Sequence, residues 1–448
     1  MSIKPFSEIR NWSSFQWSLA VLIGIFLTWG SSQLVNAWNQ PNADTLAMGR
    51  ELFEHEWTQN DSLSADGDGL GPVFNAKSCV ECHFQGAIGG GGPNDKNVTS
   101  FTALSNPQQS TAELISGVVH ADALESYQLE TAEKLRLEFP IIKGVVRNEG
   151  HCTYREPDID PLIVETINTP ALFGMGEIDR ISGLKIKNAR RWKLLSNVGQ
   201  ELQGKFDSIP AGRPRILPDG RVGKFGWKAQ FATLEEFVAA ACAVEIGLTN
   251  PMRAQDLPHT HQPDPEAGLD LDKRQFKALV HFCSSLPVPE EVSGNTPEHQ
   301  HNIDQGKQLF SSIGCAECHT PEVDGVVGVY SDFLLYSLEG GDQAMDSYDD
   351  FPEDFELPSA EPDPSEWKTP PLWGVADSAP YMHDGSAPTL SAAIAAHNGA
   401  ARTVKSSYLE LSRPQQKQLL AFLKSLRAPQ SNTQPSEKGN PSILAASH

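Results

Sequence analysis

Apolar residues recur at helical spacing in two stretches far apart in the chain. RQFKALVHFCSSL (274–286) and QQKQLLAFLKSL (415–426) each set Phe, Leu, Ala or Val on one face and charged or amide groups on the other, which predicts two amphipathic helices. Two more helices are predicted upstream by a shared G-(R/K)-x-L-F pattern. It reads Gly49-Arg50-Glu51-Leu52-Phe53 in DTLAMGRELFEHEW, and Gly306-Lys307-Gln308-Leu309-Phe310 in NIDQGKQLFSSIG. NTPALFGMG (168–176) answers KTPPLWGVA (368–376), and FATLEEFVAAA (231–241) answers APTLSAAIAAH (387–397). These features return in the same order, so the chain reads as two copies of one unit. The expected limits are 38–286 and 299–428, joined by the linker PVPEEVSGNTPE (287–298) and followed by a polar tail, 429–448, expected to be disordered.

One apolar run has no helical partner. SLAVLIGIFLTWG (18–30) follows Lys4 and Arg10 and is shorter than the about 20 residues a membrane span needs. Val35-Asn36-Ala37 then offers small residues for signal cleavage, so residues 1–37 are expected to be a signal peptide and Trp38 the first mature residue. The alternative is an uncleaved N-terminal anchor. Both put the body of the protein outside the cytoplasm, with the periplasm the expected place.

The cysteines sharpen the picture. SCVECH (78–83) and GCAECH (314–319) place Cys79, Cys82, His83 and Cys315, Cys318, His319 at one spacing. A thioredoxin-like redox pair needs no trailing histidine. A zinc site built from both CxxC pairs leaves both histidines unexplained. Covalent c-type haem uses all three groups: each thiol adds to a vinyl group, and the adjacent imidazole turns to the iron. Positions i, i+3 and i+4 share a helix face, so the three reach one porphyrin. Two haems are therefore expected, with His83 and His319 as proximal iron ligands. The other cysteines, Cys152, Cys242 and Cys283, allow one disulfide with a thiol left over, or plain burial.

Composition narrows the partners. With 448 residues, 39% hydrophobic and 21% charged, the chain is globular, and its net charge of −22 speaks against polyanions such as nucleic acid. The charge permits a basic partner such as a small electron carrier. The DGDG run at 66–69 holds carboxylates of the kind a Ca²⁺ site uses, but without the full EF-hand loop.

Two such haem units in one exported chain resemble the bacterial di-haem cytochrome c peroxidase superfamily. TPPLWGVADSAPYMHDGSAPTLSAAI (369–394) is close to that group's C-terminal signature. GLGPVFNAKSCVECH (69–83) and KFGWKAQFATLEEFVAAACAVEIGLTNP (224–251) resemble its di-haem oxidoreductase branch, also called thiol oxidoreductase. The match runs from about residue 45 to 427. It implies a mainly α fold of two tandem class I cytochrome c-like haem domains, the N-terminal one carrying loop-rich insertions.

The resemblance also places the sixth ligand of the C-terminal haem at the end of the TL-x-x-A helix, which here is His397. Met382 in YMHDG is the rival. At the corresponding N-terminal place stands Ala241, which cannot bind iron. Cys242, His120, His151 and Met252 are weaker candidates there. An iron with an open site can activate peroxide, so the implied activity is peroxidase-like. Glu245 and His151 are the candidate acid–base groups, with Arg147 or Arg155 as electrostatic partners. Trp227 and Trp373 are candidate electron relays or porphyrin-packing rings. The expected partners are hydrogen peroxide and a small cytochrome c or cupredoxin. Two other functions stay open: a di-haem electron carrier without catalysis, and oxidative modification of a partner protein.

Overall fold

Two helix crossings, each made at a glycine, organise the chain. The computed structural model describes residues 42–105, 113–149, 152–201, 211–258, 268–338 and 364–429. In chain order the elements begin with α1 (Ala43–Glu54), β1 (Val73–Phe74), α2 (Cys79–Cys82), β2 (Val98–Ser105), β3 (Glu113–Val119), β4 (Asp122–Ala123) and α3 (Ala132–Glu138). Next come β5 (Val146–Glu149), β6 (Cys152–Arg155), β7 (Leu162–Ile167), α4 (Met175–Arg180), α5 (Gly183–Glu201), α6 (Leu234–Ala241), α7 (Lys273–Ser285) and α8 (Pro297–Ser312). The last are β8 (Glu322–Val323), β9 (Val326–Val327), β10 (Leu335–Ser337), β11 (Glu366–Lys368), α9 (Leu390–Ala396), α10 (Arg402–Glu410) and α11 (Arg413–Ser425).

Helix α1 packs on α7, and α8 packs on α11. The sequence explains the helix starts. Asn42 and Thr296 accept first-turn amides of α1 and α8, while Asp272 with Gln275 and Ser412 with Gln415 form capping boxes for α7 and α11. The two crossings share one register. A Cβ on Gly49 would stand 2.0 Å from the Ala278 carbonyl oxygen, and one on Gly306 would stand 2.0 Å from that of Gln418. Phe53 meets Phe282 at 5.2 Å between ring centres, and Phe310 meets Phe422 at 5.3 Å. A step of 257 residues along the first helix of the pair and 140 along the second turns one crossing into the other (49 to 306, 278 to 418). The Gly306→Ala variant must part α8 from α11. It is expected to lose about 3 kcal/mol of stability, the upper end for overpacking, read by chemical denaturation.

The fold is mixed rather than mainly α, which corrects the sequence expectation. The insertion after the first CxxCH motif is not loop-rich but a three-stranded antiparallel sheet, in the order β3-β2-β7. It carries its own small core of Phe101, Ala103, Leu135, Phe139 and Leu162, with α3 supplying Leu135. Strand β2, VTSFTALS, alternates β-branched and polar residues with the buried Phe101 and Ala103, a period-two pattern outside the helical repeats. The larger core joins α1, α6 and α7 to Val329, Phe333 and Trp373, while α8, α10 and α11 enclose a second cluster around Phe310, Tyr408 and Phe422.

The stretch 287–298 is strapped across the last helix. Val292 N donates to the Ser425 carbonyl at 2.8 Å, and Glu291 pairs with Lys307 at 2.6 Å. Among the described residues no helix is long and apolar enough to cross a membrane. The run at 18–30, the cleavage site and residues 430–448 lie outside the described residues.

Candidate functional site

The second CxxCH motif begins where α8 stops. Gly314 takes a left-handed turn (φ 101), a conformation glycine adopts without a Cβ penalty, and Cys315–Glu317 form one 3-10 turn. Cys315, Cys318 and His319 thereby line one cavity of about 280 Å³, walled largely by apolar side chains such as Phe310, Leu372 and Ile394. His397, at the C-terminal end of α9, lines the same cavity.

Both imidazoles are held by their far nitrogens. His319 Nδ1 lies 3.0 Å from the Tyr330 carbonyl oxygen and also meets that of Pro370, and His397 Nδ1 lies 2.7 Å from that of Ala393. Carbonyls only accept, so the protons are assigned to Nδ1 and the lone pairs to Nε2, an orientation typical of metal-bound histidine. Burial holds both rings below the usual histidine range, His319 at about 4, so both are neutral near pH 7. Their ring centres lie 6.5 Å apart. An imidazole nitrogen stands about 2 Å from a first-row metal with its ring centre about 1 Å behind, so two imidazoles sharing one ion from opposite sides have centres about 6 Å apart. The pair fits one iron between them.

Two further features of this cavity fit a haem. Lys368 is buried, with its ammonium 5.6 Å from the centre of the Phe333 ring and the Asp332 carboxylate near enough to favour its charge; it makes no hydrogen bond or close ion pair among the described residues, and burial pushes it down to about 8. A buried cation without a hydrogen-bonded carboxylate is costly, and the carboxylates of a haem would match it. The four CxxCH thiols are pushed up to about 12, chiefly by burial, so they are neutral. Among the described residues no three of His, Cys, Asp or Glu gather as a metal site. Met382, the rival ligand, also lines the cavity and takes φ 72, uncommon for a residue with a side chain; its counterpart in the first half is Gly226, at φ 80.

The first motif repeats the scheme. Ser78 caps α2 by accepting the Glu81 amide, and His83 Nδ1 lies 3.2 Å from the Gly90 carbonyl oxygen and 3.1 Å from that of Pro170. Pro170 and Pro370 stand at the same place in the two T-P motifs, so the repeat in sequence marks the carbonyls that orient the proximal histidines. Burial lowers His83 to about 4.

Opposite the ligand position the halves part company. Helix α6 is continued by a π-turn, Cys242–Ile246, of a kind frequent at functional sites. The turn buries Glu245 and tucks it against the residues just after β1: Asn75 Nδ2 donates to its carboxylate at 2.6 Å, and the Asn75 and Ala76 amides donate to its backbone carbonyl. Burial, with Asp256 adding to it, raises the Glu245 carboxyl to about 7 against the Asn75 hydrogen bond, and Glu245 in turn raises the neighbouring Cys82 thiol.

The other candidates are placed as follows. His120 is buried and tied to the Val244 carbonyl at 3.0 Å, with Asp256 at 3.6 Å. Met252 is exposed. Cys242 and Cys283 are buried near Cys79, Cys152 is exposed on β6, and no disulfide joins any two cysteines. His151 lies outside the described residues. Arg147 and Arg155 sit exposed on the β5–β6 hairpin, in ion pairs with Glu156 and Asp158; the groups that act on Glu245 are Asn75 and Asp256. In the DGDG run, Asp66 accepts the Leu269 amide and Asp68 the Gln255 side chain, which accounts for both without a cation.

Trp227 and Trp373 both line the cavity. Trp227 donates Nε1–H to the Asn168 carbonyl at 2.8 Å, two residues before Pro170. Trp373 bridges the halves: a Cβ on Gly174 would come within 2.3 Å of its ring, and in return a Cβ on Gly374 would come within 3.1 Å of the Phe173 ring. Both glycines are left-handed, at φ 66 and 67.

A chain with two such motifs, each histidine held by a T-P carbonyl, is of the di-haem class. The family model described as "Di-haem oxidoreductase, putative peroxidase" matches residues 205–426, and through this stretch the chain belongs to that family. Among solved structures it is similar to hydrazine synthase of Kuenenia stuttgartiensis (14% identity, 87% of this chain and 88% of that one, TM-score 0.35). It is also similar to a MauG-like protein associated with microbial copper homeostasis (20%, 48% and 72%, TM-score 0.29). A third similarity is to a variant of the di-haem peroxidase BthA of Burkholderia thailandensis (16%, 86% of each chain, TM-score 0.31). Nothing among curated proteins matches the chain.

Proposed function

We propose that the protein is an exported di-haem oxidoreductase in which the N-terminal half reduces hydrogen peroxide and the C-terminal half relays electrons. The observation that carries this reading is the difference between the halves. His397 faces His319 across the cavity, whereas the matching place in the first half is Ala241, with the buried Glu245 close by.

In this reading each half is a cytochrome c-like unit. Cys79 and Cys82 would hold one haem and Cys315 and Cys318 the other, His83 and His319 would bind the irons, and Lys368 would meet a haem carboxylate. Bound iron supplies a site for peroxide where a protein ligand is missing, and outer-sphere electron exchange where two are present. Glu245 accepts a proton from the entering peroxide and returns it to the departing hydroxide, so that two electrons and two protons yield two waters. Asn75 holds the carboxyl in place. Trp373, against both halves, lies on the path by which electrons pass between them. The N-terminal run 18–30 exports the chain to the periplasm, by cleavage after residue 37 or as an anchor.

The test is rapid mixing of half-reduced and fully oxidised protein with hydrogen peroxide. Fast consumption of peroxide, with a spectral change confined to the N-terminal haem, is expected. No reaction in either state, with both irons low-spin, would leave an electron carrier. His397→Ala is expected to convert one haem, the C-terminal one, from low- to high-spin, read by optical and EPR spectra. The same change in Met382→Ala, and none in His397→Ala, would give the ligand role to Met382.

A further inference from the structure

Helix α5 carries surface that the fold leaves uncovered. Its sequence, GLKIKNARRWKLLSNVGQE, holds Lys185, Lys187, Arg190, Arg191 and Lys193 and no acid before its last residue, in a chain of net charge −22. Ile186 is fully buried and fixes the helix to the core. Leu184, Trp192, Leu194 and Leu195 are exposed, Trp192 by 71%. Large apolar side chains grouped on one exposed face mark an interaction site.

The place of the helix matters. Lys193 reaches inward to Asp332 at 2.6 Å and the Tyr336 hydroxyl at 2.9 Å, and it also donates to the Glu317 carbonyl, inside the second CxxCH motif. The exposed cations and Trp192 therefore flank the C-terminal site. Lys187, Arg190 and Arg191 make no ion pair among the described residues.

We propose that α5 is the docking surface for an acidic electron-carrier protein, one whose contact face combines carboxylates with a small apolar patch. Charge complementarity selects it. The net charge of −22 repels such a partner, while α5 attracts it, so productive encounters concentrate beside the C-terminal site. This replaces, at the C-terminal site, the basic partner that the net charge permits, and it rests on the relay role given above to the C-terminal half.

Binding is read without a redox step, which separates this inference from the haem reading. An isotope-labelled acidic cupredoxin is titrated with the purified chain and its amide shifts are followed. The expected result is binding that weakens at least about tenfold between low salt and about 0.2 M salt, as exposed charges are screened. The Lys187→Glu/Arg190→Glu/Arg191→Glu variant should bind at least about tenfold more weakly at low salt, and Trp192→Ser should also bind more weakly, with helix content unchanged in both. Equal binding by wild type and both variants would overturn the proposal. Residues 339–363, outside the described residues, hold only acidic charges and are a competing occupant. Carbodiimide cross-links from α5 to those carboxylates in the isolated chain, with probe binding only after their deletion, would assign the helix to them instead. Co-sedimentation with anionic vesicles through the same cations, and no binding of the cupredoxin, would assign it to lipid.

Discussion

Glutamine in place of Glu245 is expected to slow the reaction with hydrogen peroxide by about 10²–10⁴-fold, the range for losing a positioned acid–base group. Glu245→Gln keeps the volume and still accepts from Asn75, so a purely structural role would leave the rate nearly intact. The pH profile adds a second readout. The carboxyl is raised to about 7 by burial, so the form able to take a proton appears as pH rises through about 7. The wild-type rate should climb across that interval, and the rate of the Glu245→Gln variant should stay flat.

Stability follows the same group in the opposite direction. A carboxyl whose folded pKa is raised costs nothing while it is protonated in both states. As pH rises from about 4.5 toward 7 the unfolded chain ionises first, so the folded state loses stability and then levels off. The loss amounts to roughly 3 kcal/mol for a shift from 4.5 to about 7. The buried, neutral His83 and His319, held at about 4, raise stability over the same interval, so the difference is the readout: Glu245→Gln should gain roughly 3 kcal/mol on wild type in denaturation measured between pH 4 and 8. An unchanged slope would place the titrating group elsewhere.

The second large effect concerns the sulfurs. Each double variant, Cys79→Ala/Cys82→Ala or Cys315→Ala/Cys318→Ala, is expected to carry one acid–acetone-resistant haem fewer than the wild-type pair, counted by intact mass. Neutral, buried thiols beside His83 and His319 suit the thioether formation proposed for both halves. A mass without haem in wild-type protein, with bound zinc, would remove the haem reading altogether.

Much of this architecture was legible because it is local or repeated. The G-x-L-F helices, their capped partners and the TL helices carry their patterns in a few residues, and duplication shows each pattern twice. The sheet of β2, β3 and β7 occurs once and lacks a helical period, so the repeats gave no warning of it. His397 could be placed because the TL helix fixes its register from Thr389. Lys368 could not be singled out, since its meaning lies in burial without a hydrogen-bonded carboxylate and no spacing encodes that. His151, Arg147 and Arg155 drew notice through adjacency in sequence. A hairpin keeps such neighbours close to one another without bringing them to a distant buried group, and the arginines pair with local carboxylates instead. Helix α5 has an ordinary helical sequence; its exposed Trp192 becomes informative only once the packed face is known.

The exchange of rings between Trp373 on Gly174 and Phe173 on Gly374 has a consequence for descent. Residue i of one half touches residue j of the other, and j of the first touches i of the second. That reciprocity defines an isologous contact, the kind found across the two-fold axis of a homodimer. A seam of this kind is the one that joining two identical, already paired subunits end to end would leave. The joining peptide would then have only to span an interface that already existed, and each half would be free to specialise without renegotiating how it meets the other.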